Sequence, residues 1–374
     1  MKRVLFFITS LAGGGAEKVL VNLVNNIDKT KYDVTLLSLF DVGVNKQYIS
    51  KDVTYKYVFK KSFRGNIHLL KLFSPKFLYR KMIPNEYDIV VSFVQGPTTR
   101  IVAGCPYENV KIVQWVHNEF HEKKKIAASY RSISESVKLQ KKYDAIVYVA
   151  NTVKDIYLRT FPELTNCNIK NVVLYNVVES DKITALANEK VEDAELYDNQ
   201  ITLVSVGRMV PQKSFDRLVS VMARLKKEID IDAKLLLLGS GELLEKLKKQ
   251  AEELDVNDRV EFLGYRTNPY KYVKNADLFV CSSLHEGFST AVTESLIVGT
   301  PVITTLCSGM EELLGDNEYG VIVENAEEAL YTSLVELLTN TEKLNTYTSM
   351  AEKRGKYFNA KSTTASVEEF LNTL

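Results

Sequence analysis

Leu278-Phe279-Val280-Cys281-Ser282-Ser283-Leu284-His285-Glu286-Gly287-Phe288-Ser289-Thr290-Ala291-Val292-Thr293-Glu294 joins a short apolar run, a glycine turn and the opening of a helix. The apolar run has no polar alternation, so it predicts a strand buried on both faces. A buried strand that feeds a helix is half of a βαβ unit. The same unit recurs on both sides. Residues 201–206, 234–238 and 260–263 precede it, and residues 302–305 and 320–323 follow. Between them Leu218, Val219, Met222 and Leu225 recur at helical spacing behind Ser214 or Asp216 as N-cap, and residues 241–254 are rich in Leu, Glu and Lys.

The first half carries its own set of such runs: residues 4–8, 34–39, 89–94, 112–116, 145–150 and 172–175. The expectation is an α/β chain of two Rossmann-like, doubly wound domains in series, 1–180 and 181–354. The segment 179–200 is polar and acidic without apolar periodicity and marks the boundary. A terminal helix at about 355–374 is expected to pack back on the first domain. Sheets of this topology bind ligands at the carboxyl ends of their strands, so two of them would face a central cleft.

The chain has 374 residues, enough for two cores. Its net charge of +1 hides an asymmetry. Residues 1–190 hold 29 Lys/Arg against 17 Asp/Glu, and residues 191–374 hold 19 against 30. The basic half suits an anionic partner, or simply the acidic half. Cys105, Cys167, Cys281 and Cys307 form no CxxC pair, which fits a reducing cytoplasm and no structural zinc. Lys2 and Arg3 before residues 4–11 resemble a short signal sequence. The run continues into Gly13-Gly14-Gly15 and a helical pattern instead, so a first buried strand is expected. No run of 18 apolar residues is present.

Three motifs carry chemistry. Gly13-Gly14-Gly15-Ala16-Glu17 follows the first strand, where glycines permit close approach of an anion to a helix start, or a plain tight turn. Lys18 stands where a dinucleotide fingerprint needs its third glycine. Gly207-Arg208 and Lys213 follow residues 201–206; two cations on such a loop can neutralise a diphosphate, Arg208 by chelation and Lys213 as a point charge. In the third, the N–H groups of Phe288, Ser289 and Thr290 would face an anion at the helix start, with Gly287 supplying the turn. Glu286 and Glu294 flank that site. Carboxylates there suit hydroxyl donors, as on a sugar and a ribose; an acidic first helical turn is the alternative.

In this order and these strand contexts, Glu286…Glu294, Gly207-Arg208…Lys213 and Gly14-Gly15-Ala16-Glu17 resemble the retaining glycosyltransferases of family 4, the bacterial cell-surface polysaccharide type with the GT-B fold. Leu238-Gly239-Ser240-Gly241 and Phe262-Leu263-Gly264-Tyr265 fall at that family's usual places. The resemblance implies that Glu294 binds the ribose and Glu286 the donor sugar. It implies that the backbone of Gly287, Phe288, Ser289, Thr290 and Ala291 lies near the sugar and phosphates, and that Arg208 and Lys213 neutralise the leaving diphosphate. Gly14 and Gly15 would approach that diphosphate from the first domain. Tyr265 and Arg266 would lie near the base. A histidine after a central strand of the first domain is matched by His117, which would orient the donor or donate a hydrogen bond near the reacting centre; a structural histidine is the alternative.

The expected reaction moves a hexose or N-acetylhexosamine from a nucleotide diphosphate sugar to a glycan or a polyprenyl-diphosphate-linked acceptor, in capsule or other surface polysaccharide synthesis. UDP is the default because it is the commonest donor nucleotide. No cofactor and no metal are required: Asp230-Ile231-Asp232 is expected at a surface turn, and His117 with His121 lacks a third ligand. The sugar would pass through an oxocarbenium-like state, with attack on the same face and retained configuration.

Residues 60–81 interleave Lys60, Lys61, Arg64, Lys71, Lys76, Arg80 and Lys81 with Phe63, Ile67, Leu69, Leu70, Leu72, Phe73, Phe77, Leu78 and Tyr79. That composition suits an interfacial helix on anionic lipid, or a solvated helix with its apolar side in the core. The expected location is the cytoplasm, peripheral on the inner face of the plasma membrane. Competing readings are a sugar-nucleotide epimerase of the same fold and a non-catalytic two-lobed ligand-binding protein. No nucleic-acid module is recognisable, so no nucleic-acid partner is expected.

Overall fold

The computed structural model describes residues 1–62, 65–84, 86–193, 200–229 and 231–374. They form two compact units: residues 1–177 with 360–374, and residues 178–359.

The first unit holds a parallel sheet of β1 (Lys2–Ile8), β2 (Tyr32–Phe40), β3 (Thr54–Phe59), β4 (Ile89–Ser92), β5 (Lys111–Val116), β6 (Ala145–Tyr148) and β7 (Lys170–Val173). Their order is β3-β2-β1-β4-β5-β6-β7. The second unit holds β8 (Ile201–Val206), β9 (Ala233–Leu238), β10 (Val260–Gly264), β11 (Leu278–Cys281), β12 (Val302–Thr305) and β13 (Val321–Val323), in the order β10-β9-β8-β11-β12-β13. Both sheets are doubly wound. The order reverses between β1 and β4 in one and between β8 and β11 in the other, and those switch points are where such sheets bind ligands.

The expected strands are all present within a few residues, and β3 is an addition. Its sequence, Thr54-Tyr55-Lys56-Tyr57-Val58-Phe59, is no apolar run, because β3 is an edge strand with largely exposed side chains. The segment 179–200 is more ordered than its composition suggests. Ser180–Ala187 is a helix whose Ile183 and Ala187 are buried with Tyr270 beside Ile297 and Val298. Residues 194–199 of that segment lie outside the described residues.

The helix Ala360–Asn372 belongs to the first unit. It packs on the helix Gly15–Asn26. Lys2 Nζ donates to the Leu371 carbonyl at 2.9 Å, and Tyr32 Oη donates to Glu368 O and Asn372 Oδ1 at 2.9 and 2.7 Å.

In the second unit the helix Phe215–Arg224 buries Leu218, Val219 and Met222, and Leu225 is buried in a single wide turn beyond it. Neither Ser214 nor Asp216 caps that helix. Ser214 sits at the cap position in the left-handed region, and its hydroxyl donates to Asp216 Oδ1 at 3.2 Å. Of Asp230-Ile231-Asp232, Asp230 lies outside the described residues; Asp232 accepts from Gln200 at the amino end of the sheet.

Residues 60–81 do not form one helix. Phe63 and Arg64 lie outside the described residues. The rest forms two short helices, Asn66–Leu72 and Pro75–Met82, broken where Ser74 caps the second by accepting from Phe77 N–H. Pro75 sits in the first turn, where its missing N–H costs nothing. Ile67, Leu69, Leu72, Phe73 and Phe77 are exposed. Among the described residues no helix is long and apolar enough to cross a membrane.

Candidate functional site

The loops after β8 and β11 flank the switch point of the second sheet, and they hold most of the residues singled out in the sequence. The β8 loop is seated by close backbone packing. Gly239, with φ +137°, lies so near it that a β-carbon there would fall 1.8 Å from Gly207 O. A β-carbon on Gly241 would fall 2.3 Å from Met209 O. Only glycine fits either place. Gly207 itself has the Lys213 side chain against it, with Cε 3.1 Å from where its β-carbon would be. The Lys213 chain is thereby aimed at the next loop.

There Lys213 Nζ meets Glu286 Oε1 at 2.6 Å, and Ser283 Oγ donates to the same oxygen at 2.6 Å. Glu286 is 8% exposed. Burial opposes the lysine's charge, but the carboxylate beside it prevails and lifts the Lys213 pKa above the ordinary lysine value. The Arg208 side chain is exposed and has no hydrogen-bond or ion-pair partner among the described residues. It is also close enough for its charge to act against that of Lys213. One cation is therefore half-neutralised and the other is not, a field that favours an anion.

The helix after the turn is Thr290–Ile297, with Ser289 as N-cap accepting from Val292 N–H at 3.4 Å. Thr293 N–H bonds Ser289 O. The groups left without an intrahelical acceptor are then Thr290 and Ala291 N–H. Thr290 belongs to the expected set 288–290, and Ala291 extends it. Gly287 is not among the left-handed glycines of the described residues. The tight approach is made by Gly309, whose β-carbon would fall 2.4 Å from Gly287 O. Phe288 and Glu294 are buried, the latter 8% exposed inside the helix. The far end of this helix is fixed by Gly355, where a β-carbon would fall 2.1 Å from Leu296 O. Tyr265 is exposed just past β10. Arg266 is engaged elsewhere, with Asp193 at 3.0 Å and Tyr272 Oη at 3.2 Å.

In the first unit, His117 follows β5 and is 6% exposed. Its ring lies 4.6 Å from Phe93 and 6.4 Å from Trp115, centroid to centroid. Burial pushes its pKa down to about 3, against a hydrogen bond to the Phe93 backbone. Nε2 is buried with no protein partner. The ring is therefore neutral, with its one proton on Nδ1, and Nε2 accepts. With that N–H on the Phe93 backbone, the ring nitrogen left over is Nε2, an acceptor. Gly14 is the N-cap of the helix Gly15–Asn26. Glu17 folds over it, with Oε2 2.2 Å from where a Gly14 β-carbon would be. The carboxylate complements the helix dipole where an anion had been expected. Gly43, at φ +124°, packs on Leu11 and secures the β1 loop.

Residues 13–182 match the family described as Glycosyltransferase Family 4, and residues 187–354 match Glycosyl transferases group 1. The chain is a family 4 glycosyltransferase. It is 28% identical, over 96% of both chains, to an enzyme of Campylobacter jejuni named N-acetylgalactosamine-N,N'-diacetylbacillosaminyl-diphospho-undecaprenol 4-alpha-N-acetylgalactosaminyltransferase. It resembles in fold the HepE protein of Anabaena, solved with UDP and glucose, with a TM-score of 0.75 at 17% identity over the whole of both chains. Sucrose-phosphate synthase of Thermosynechococcus elongatus gives a TM-score of 0.76 at 16% identity, covering 100% of this chain and 99% of that one. The glycosyltransferase has the GT-B fold of two Rossmann-like units, and the epimerase and binding-protein readings are not favoured.

Sequence reasoning did not single out Ser283, Asn325 or Gln95. Asn325 Nδ2 donates to the Ser283 and Leu284 carbonyls at 3.2 and 2.9 Å. Gln95 brackets the end of β5 in this glycosyltransferase: Nε2 donates to Trp115 O at 3.2 Å and Oε1 accepts from His117 N–H at 3.4 Å. No motif marks them: Gln95 and Asn325 work through backbone groups, and Ser283 through one hydroxyl in a polar loop.

Proposed function

We propose that this glycosyltransferase moves a hexose or N-acetylhexosamine from a nucleotide diphosphate sugar, with UDP the first nucleotide to test, to an acceptor linked to a lipid diphosphate or to a glycan. The carrying observation is the unpaired Arg208 beside the Lys213–Glu286 pair, at a switch point with a helix N-terminus. Positive charge is available there for a leaving diphosphate, and a carboxylate beside it can accept from sugar hydroxyls. Glu294 would hold the ribose, the backbone from Gly287 to Ala291 the sugar and phosphates, and Tyr265 the base. Gly14, Gly15 and His117 would act from the first unit, His117 by accepting a hydroxyl proton at Nε2. Leaving-group departure through an oxocarbenium-like state and attack on the same face would retain configuration.

Support for the donor comes from HepE, solved with UDP and glucose. Support for the acceptor comes from the Campylobacter relative, whose name specifies a diphospho-undecaprenol substrate. An acceptor of that kind would put the work at the inner face of the plasma membrane, in surface polysaccharide assembly. The exposed Leu72, Phe73 and Phe77, with Lys76, Arg80 and Lys81 around them, suit contact with anionic lipid. The test is a purified Glu286→Ala variant assayed beside a thermal-shift panel of UDP, GDP, ADP and their sugars. Transfer is expected to vanish while the nucleotide still raises the melting point. Unchanged turnover would remove Glu286 from its role.

A further inference from the structure

Ser283 is the meeting point of three loops of the second sheet. Its carbonyl accepts from Thr305 Oγ1 at 2.6 Å, Cys307 Sγ at 3.1 Å and Asn325 Nδ2 at 3.2 Å. Thr305 ends β12, and Asn325 lies two residues beyond β13. Asn325 is itself oriented by Arg217, whose Nη1 donates to Asn325 Oδ1 at 2.6 Å. The neighbouring Ser282 Oγ donates to the Lys213 and Ser214 carbonyls at 2.8 and 3.1 Å, tying the β8 loop to the same place. Ser282, Ser283 and Thr305 are each at most 1% exposed. Ordinary loop ends at the carboxyl edge of a sheet are solvated and mobile. This one has its backbone fixed from β8, β12 and β13 together.

The consequence falls on Glu286. Ser283 Oγ and Lys213 Nζ both donate to Oε1. Two short hydrogen bonds to one oxygen fix the rotation of the carboxylate and turn Oε2 away from both donors. We propose that Ser283, held by Asn325 and Thr305, is the positioning residue that aims Glu286 Oε2 at the donor sugar. This rests on the reading of Glu286 given above. In the same reading Lys213 would also serve the diphosphate, and a bound donor would draw it from Glu286. Ser283 is the partner that stays, so the aim of the carboxylate survives donor binding only through the serine.

The experiment uses the full chain and compares Ser283→Ala, Ser283→Thr and Glu286→Ala for kcat, donor KM and the Kd of UDP by calorimetry. Ser283→Ala is expected to lower kcat, by on the order of 100-fold for a carboxylate displaced by about an ångström. The Kd of UDP should change little, because the Ser283 hydroxyl bonds Glu286 and none of the groups proposed for the nucleotide. Ser283→Thr keeps the hydroxyl and should recover most of the loss. A wild-type kcat in Ser283→Ala overturns the proposal. So does a fall in kcat matched by an equal loss of UDP affinity, which would mean that the loop had collapsed. If Ser283→Ala does not fold, Asn325→Ala takes its place with the same two readouts. A fully active Glu286→Ala would sink the donor-site reading itself; an inactive Glu286→Ala beside an unimpaired Ser283→Ala sinks only the positioning role.

Discussion

Between pH 7 and pH 5 acid should destabilise the first unit chiefly through His117. Its folded pKa of about 3 lies well below the unfolded value of about 6.5. Between those values the unfolded chain binds a proton that the folded chain refuses, so stability present above pH 6.5 is lost as pH falls toward 3. Integrating the linkage from pH 7 to pH 5 gives a loss of about 2 kcal/mol. The figure is insensitive to the folded value, since any folded pKa below about 4 gives nearly the same result at pH 5. With a urea m-value of about 2 kcal/mol/M, the midpoint should move by about 1 M. The assay is built in: Trp115, the single tryptophan, lies beside His117, so its fluorescence reports the unfolding of this unit. Urea titrations of the wild type and of His117→Gln at pH 7, 6 and 5 separate this proton from all others, which titrate alike in both. The wild type should lose about 2 kcal/mol more than the variant. Parallel losses would refute a buried, neutral His117.

Arg208→Ala should weaken UDP binding by about 10–100-fold while leaving the melting point of the free protein unchanged, because an exposed, unpaired guanidinium stabilises nothing until an anion arrives; calorimetry and a thermal melt read the two. Gly239→Ala should cost about 3 kcal/mol or more, since it forces a side chain into a left-handed position against Gly207 O; a melting point within a degree of the wild type would contradict the packing described for the β8 loop. Leu72→Ser with Phe73→Ser should lower sedimentation with anionic liposomes and leave turnover on a soluble acceptor intact. Sedimentation equal to the wild type would count against the membrane surface.

The fold was legible because parallel strands buried on both faces must be written as apolar runs, and twelve such runs stood out. The thirteenth strand, β3, was not legible, because an edge strand needs no apolar run and shows lysine and tyrosine to solvent. Ser180–Ala187 was hidden for a related reason: a two-turn helix needs only Ile183 and Ala187 to dock, too few to make a period. At the site, charged residues such as Arg208, Lys213 and Glu286 announce themselves. Their supports do not. Ser283 acts through a hydroxyl like those of its neighbours and Asn325 through carbonyls that every residue has, so only the folded chain reveals them. The tautomer of His117 was likewise out of reach, since it depends on a Phe93 carbonyl 24 residues away in the chain.

The return of the helix Ala360–Asn372 to the first unit has a consequence during synthesis. The second unit is, in chain order, an insertion into the first. When a ribosome has made residues 1–177, the first unit lacks the helix that supplies partners for Lys2 and Tyr32. Roughly 180 further residues must be added at about 5–20 per second, a wait of about 10–40 s with an apolar flank uncovered. The first unit to emerge is thus finished only after the second, and the nascent chain needs that flank shielded until the helix Ala360–Asn372 leaves the exit tunnel.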